Sequence, residues 1–206
     1  MSDVYILGAG SLARETIGWI RNDNDFNMNI VGFVDPYFEG TELSGLEVFK
    51  DFTVINQSFF IVGVSKPAWR NEFVNAALAA NGRALSYIHS SAIISENFVH
   101  GEGLFIAPCC TISCNVEIGD FVHVNVRTSI GHDSKVGNFS ILLGGNVING
   151  CVAIGESVTV GSGAVVHPGK SVLDSATIGI GSVVIRNVKA STTVFGVPAK
   201  LIGRKR

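Results

Sequence analysis

From Ile88 to Val184 the sequence repeats every six residues. Stepping by six meets an aliphatic residue each time except at His100, without an insertion. Four places after each step the residue is small or aliphatic, save at Phe98, Asn146 and Lys170. A helix cannot carry this pattern, because six is not a multiple of 3.6. An ordinary strand cannot sustain it over such a length without hairpin turns. The period predicts a parallel β-helix in which each hexad forms one side of a coil. One side cannot bury its inward face alone, so coils must stack. With three sides per coil, residues eighteen apart become vertical neighbours.

Residues 1–87 obey a different rule. Short apolar runs ("DVYILGAG", "NIVGFVDP", "SFFIVGVS") alternate with helical stretches ("SLARETIGWIRN", "PAWRNEFVNAALAANG"). Ser11 is placed as the first N-cap, and Pro67 and Gly82 bracket the second helix. Alternation of this kind predicts a parallel α/β sheet. Gly8, Gly10 and Ala13 spell G-x-G-x-x-A between strand and helix, a shape suited to phosphate at a helix N-terminus. A segment this short lacks the two mononucleotide halves of a full dinucleotide fold. A Rossmann-like unit for one nucleotide fits better. The expected organisation is therefore this unit over 1–87 and the β-helix over 88–206.

Composition excludes several classes. The net charge of −2 leaves no nucleic-acid footprint, and no apolar run is long enough to span a membrane. The N-terminus reads as lacking a signal peptide. Cys109, Cys110, Cys114 and Cys151 fit no zinc pattern. A cytoplasmic protein with free thiols is expected.

Within the repeat, "SIGHDSKVG" sets His132 and Asp133 side by side. They are third and fourth in their hexad, so both fall outside the coil near a corner. On the residues alone, a solvated polar corner is the plain reading. Adjacent strand residues face opposite ways, so the two can act together only if the backbone turns between them. His89, His123 and His167 read as surface residues, and His100 as structural. The intervals from His100 to His123 to His132 are not coil spacings, so no metal site is expected. Cys114, eighteen before His132, reads as a packing residue.

The hexad [LIV]-[GAED]-x-x-[STAV]-x, joined to "ILGAGSLARE" and to a terminal "VFGVPAKLIG", resembles the sugar O-acyltransferase family. That family comprises sialic acid O-acetyltransferase-like proteins and amino-sugar acetyltransferases of the bacillosamine type. The resemblance covers essentially the whole chain. It implies a left-handed β-helix, acetyl-CoA as co-substrate, and acetylation of the amino group of a nucleotide-linked sugar, UDP being the expected nucleotide. O-acetylation of sialic acid or another sugar hydroxyl, and a non-catalytic nucleotide-sugar scaffold, are the alternatives. It makes His132 the general base, with imidazole taking the proton of the attacking amine, and Asp133 its assistant. Asn125 then contacts the amino sugar or orients His132. Gly150, eighteen after His132, offers a backbone N–H to the thioester oxygen. Gly179 and Gly181 would continue the same wall beside pantetheine, with Pro198 and Lys200 of "GVPAK" near the coenzyme nucleotide. Gly8, Gly10, Ser11, Leu12, Asp35, Ser65 and Arg70 are assigned to the nucleotide-linked sugar. Ser65 stands where the family commonly has glycine. The basic tail, residues 204–206, reads as solvated. A homotrimer is implied, with acetyl-CoA between neighbouring β-helices.

Overall fold

The computed structural model describes residues 2–204, so the last two residues of the basic tail lie outside the described residues. The chain divides into two compact units between Ser90 and Ser91.

The first unit is built on a six-stranded sheet. β1 (Asp3–Leu7) lies at its centre, flanked in parallel by β2 (Asn29–Val34) and a later strand, Phe59–Val62. The short β3 (Glu42–Leu43) pairs antiparallel with β4 (Leu46–Phe49), which runs parallel to β2. With Phe59–Val62 as β5 and Arg83–Ala84 as β6, the order is β3-β4-β2-β1-β5-β6. Helix α1 (Ser11–Arg21) buries Leu12, Ala13, Thr16, Ile17 and Ile20. Ala13 and Ile17 join Ile6, Phe33 and Val48 in one apolar cluster. The spacing of those helix residues matches one helical face, and the sheet receives it. Gly10, not Ser11, is the N-cap, and no side chain caps the helix; Ser11 already belongs to the first turn. Helix α2 (Pro67–Ala79) follows β5. Chain order leaves β1 toward β2 and later returns to its other side at β5, so the strand order reverses beside β1 while the strands stay parallel. Crevices form at such points.

The second unit is a solenoid of two-residue strands, and it matches a left-handed parallel β-helix. One sheet holds six strands from Ile93–Ile94 to Val183–Val184, and another five from Val99–His100 to Ser171–Val172. Partners are eighteen residues apart, as in Ser129↔Val147 and Lys135↔Ala153. The step residues face inward: Ile106, Ile112, Val124, Leu142, Val160 and Ile178 are fully buried. The register holds to Val184. The next coil is two residues shorter, with Val172 bridging Val188 and Thr177 pairing Thr193. Thr192–Phe195 then pairs antiparallel with Lys200–Arg204, a hairpin that ends the stack.

Polar residues inside the coil are matched to backbone. Asn146, an exception to the sequence pattern, is fully buried. Its amide donates to Leu143 O at 2.6 Å and its oxygen accepts from Ala164 N at 2.9 Å. Leaving either partner unmet would cost roughly 1–3 kcal/mol, so the residue stitches successive coils where an aliphatic one could not. His123 departs from expectation. It is fully buried rather than on the surface, its ring stacked on Phe105 one coil below at 4.7 Å and an interplanar angle of 1°. His100 is exposed, with Nδ1 2.6 Å from Gly101 O.

Candidate active site

His132 stands at the corner between strands Ser129–Ile130 and Lys135–Val136. The backbone turns there, Asp133 having φ of 58°. That turn lets adjacent residues face the same way. His132 Nδ1 lies 2.7 Å from Asp133 Oδ2, the two side chains being 58% and 51% exposed. Asp133 is held in turn from one coil below: Asn115 Nδ2 donates to Oδ1 at 3.0 Å, and Cys114 O accepts from Asp133 N at 3.1 Å. The hydrogen bond with His132, and then that with Asn115, hold the Asp133 carboxyl below the usual carboxylate range. It is therefore ionised, and can only accept. Hydrogen-bond logic then assigns the proton to Nδ1 and leaves the Nε2 lone pair free.

Nε2 lies over Gly150. A Cβ at that glycine would come within 2.5 Å of it, and within 2.7 Å of the ring's Cε1. The Gly150 φ is ordinary, so glycine is required here by the approach of the imidazole and not by the turn. The two residues line a groove of about 610 Å³, together with Ser129, Val147, Cys151 and Pro168. No described residue accepts from the Gly150 N–H. The groove thus pairs an unencumbered ring nitrogen with an available backbone donor.

Cys151 was not singled out by sequence reasoning. Ligating atoms of His132, Asp133 and Cys151 lie within 4.8 Å of one another, the one described group with metal-ligand spacing. All four cysteines are free thiols. Asn115 and Cys151 stand eighteen before and eighteen after Asp133, so coil arithmetic could have found both.

The other β-helix candidates lie elsewhere. Asn125, Gly179 and Gly181 follow strands His123–Val124 and Thr177–Ile178, on the corner one side before that of His132. The sequence reading placed both glycines on the His132 wall, but their offsets from His132 are not multiples of eighteen. Asn125 is buried, and its Oδ1 accepts from Val126 N at 2.6 Å instead of reaching His132. Gly179 has no left-handed φ; the Phe195 ring covers it and excludes a side chain. Gly181 is a left-handed turn with φ of 62°. Lys200 lines a separate cleft with Arg186, Asn187 and Lys189, and Pro198 is exposed beside it in sequence. Pro168 and Arg186 follow His132 and Gly150 in one eighteen-residue column, so the column runs from the groove to that basic cleft.

In the first unit Gly8, Gly10, Ser11, Leu12, Asp35 and Ser65 share a small cleft at the carboxyl ends of β1, β2 and β5, with Lys66, Trp69 and Phe73. Gly8 takes φ of 91°. Asp35 ties two bounding loops together: Oδ2 accepts from Ala9 N and Oδ1 from Tyr37 N, at 2.8 and 2.9 Å. Arg70 was expected to face substrate and does not. It is fully buried, and Nη1 donates to Val64 O at 2.8 Å. Burial lowers its pKa to about 9. Its position on the buried face of α2 makes it a brace for the loop after β5. Among the described residues no helix is long and apolar enough to cross a membrane.

No family model matches the chain. It is 30% identical over 172 residues to GDP-perosamine N-acetyltransferase of Escherichia coli O157:H7, covering 80% of this chain and 77% of that protein. Among solved structures it superposes with a TM-score of 0.91 on a histidine-to-asparagine variant of perosamine N-acetyltransferase from Caulobacter crescentus in complex with CoA and GDP-perosamine. There the identity is 26%, with 98% of each chain covered. It also shares its fold with the acetyltransferase domain of PglB from Neisseria gonorrhoeae in complex with acetyl coenzyme A. That match has a TM-score of 0.88, 23% identity, and coverage of 98% of this chain and 99% of the other.

Proposed function

The chain belongs to the sugar N-acetyltransferases of the hexapeptide β-helix acyltransferase family, and from that membership we propose that it acetylates the amino group of a nucleotide-linked sugar, with acetyl-CoA as donor. The observation that carries the reading is the His132–Asp133 pair with Gly150 beneath the ring. In the reaction, the neutral amine attacks the thioester carbonyl while His132 Nε2 takes its proton. Asp133 holds Nδ1–H and stabilises the imidazolium. The Gly150 N–H donates to the oxyanion. Collapse breaks the carbon–sulfur bond, and the departing CoA thiolate takes the proton from the imidazolium.

The coenzyme fits along the column. Coils are about 4.8 Å apart, so Arg186 lies roughly 14 Å from His132, a span suited to an extended pantetheine arm. Arg186, Lys189 and Lys200 then meet the coenzyme phosphates, with Pro198 alongside. The first unit is read as a Rossmann-like domain that takes the nucleotide of the acceptor. Sequence alone favoured UDP. Of the relatives with named substrates, one that covers most of both chains acts on GDP-perosamine, while others matching a shorter stretch act on UDP-N-acetylglucosamine, so guanine joins uracil as a base to test. Free thiols suit the cytoplasm.

The test is direct: incubate the protein with acetyl-CoA and a panel of GDP- and UDP-linked amino sugars and their hydroxyl counterparts, and follow free thiol. Release that depends on one amino sugar is expected. No release with any member would overturn the reading, and release with hydroxyl sugars alone would replace N- by O-transfer.

Assembly follows from the groove being open on one side. Ligand sites are usually concave. Gly181, on the other corner, can reach a bound coenzyme only from a neighbouring chain. Three chains around one axis close such a set. Sedimentation at micromolar concentration is expected to give about three times the 21.8 kDa chain mass. A fully active monomer would sink the shared site.

A further inference from the structure

The cleft of the first unit carries a feature that the reaction above does not use. Trp69, in the first turn of α2, keeps 45% of its surface exposed beside the cleft. Its ring is held in place by neighbours. Tyr37 packs 5.9 Å away at 37°, and is itself fixed by its hydroxyl donating to Glu72 Oε1 at 2.6 Å and by Phe73 at 6.2 Å. The ammonium of Lys66 rests over the indole, 4.6 Å from the ring centroid. A large aromatic face in a cleft is thus covered by a lysine ammonium.

Both halves of that contact have a better partner in one class of ligand. An exposed ammonium–indole contact is weak. A nucleotide base stacks more strongly on an aromatic ring, and a phosphate is a stronger partner for an ammonium. A nucleoside diphosphate supplies both at once. We propose that Lys66 and Trp69 form an exchangeable clamp: on binding, the Lys66 ammonium swings to the diphosphate and the base takes its place on the indole. Asp35, bound to Ala9 N and Tyr37 N, sets the distance between the platform and the glycine turn after β1. The clamp rests on the reading that this unit takes the nucleotide. It adds which residues grip it.

The chain has two tryptophans, Trp19 and Trp69. In a Trp19→Phe background the fluorescence of Trp69 is expected to change as GDP or UDP is added. By titration calorimetry, Trp69→Ala is expected to weaken binding of the preferred diphosphate by roughly 5- to 150-fold, the range for losing one base–aromatic stack. Trp69→Phe is expected to restore most of it, which separates a platform from a folding defect. Lys66→Met is expected to weaken the diphosphate while leaving the nucleoside unchanged. Trp69→Ala binding within twofold of wild type overturns the clamp and leaves the nucleotide reading standing. Absence of GDP and UDP binding in the unaltered protein overturns both.

Discussion

His132→Ala is expected to fold as the unaltered protein does and to lose roughly 10²–10⁴-fold in kcat. The ring is 58% exposed and lies outside the coil, so its removal opens no cavity in the core. The loss is therefore one of rate, and circular dichroism melts should coincide. Some catalysis remains, because the Gly150 N–H and the binding surfaces survive. Asp133→Asn is expected to cost less than His132→Ala, since it loosens the ring and alters its tautomer without removing the base. Its carboxyl, held below the ordinary range by His132 and Asn115, stays ionised as the medium turns mildly acidic. The acid limb of the rate profile therefore belongs to another group. Single-turnover thiol release measures all of this. A His132→Ala enzyme within about threefold of wild type would remove His132 from the mechanism.

Gly150→Ala is expected to be nearly as damaging at a position that carries no side chain. The added methyl would sit 2.5 Å from Nε2, so the ring must turn aside. A displacement of about 1 Å at a reacting group can cost roughly 10²-fold, and that loss is expected in kcat. Stability should hold, because the φ is ordinary and the three nearest atoms to the methyl all belong to the solvent-exposed His132 ring. Gly18→Ala in α1 is the control. A Cβ there meets nothing within 4 Å, and the rate should not change. If Gly150→Ala kept full activity, the imidazole would not need the place it occupies.

These two residues also mark where the sequence was readable. Eighteen-residue arithmetic put Gly150 one coil on from His132, against its ring, because the coils there share one length. The same arithmetic gives Asn115 and Cys151, which reasoning about motifs passed over. It also separates Gly179 and Gly181, whose position in the family motif pointed to the His132 wall, onto another corner. His123 reads as a surface residue in the sequence, and nothing there shows that a flat stack on Phe105 would bury it. The family motif makes Arg70 a substrate contact, and only the face of α2 on which it falls decides otherwise. Trp69 under Lys66 depends on how the loop after β5 meets the helix, and no period encodes that.

The fixed coil length has a consequence for how such a chain can change. An insertion or deletion of six residues would leave the inward aliphatic pattern intact and the core well packed. It would still rotate everything downstream by one face of the prism. Made between Pro168 and Arg186, it would leave His132 and the basic cleft on different faces, with no column joining them. Only a change of eighteen preserves the alignment, and that alters the reach between them by one whole rise. Length variation in this architecture is thus quantised: most viable indels keep the fold and abolish the site, and the rare one that spares both recalibrates the length of acyl carrier the site can accept.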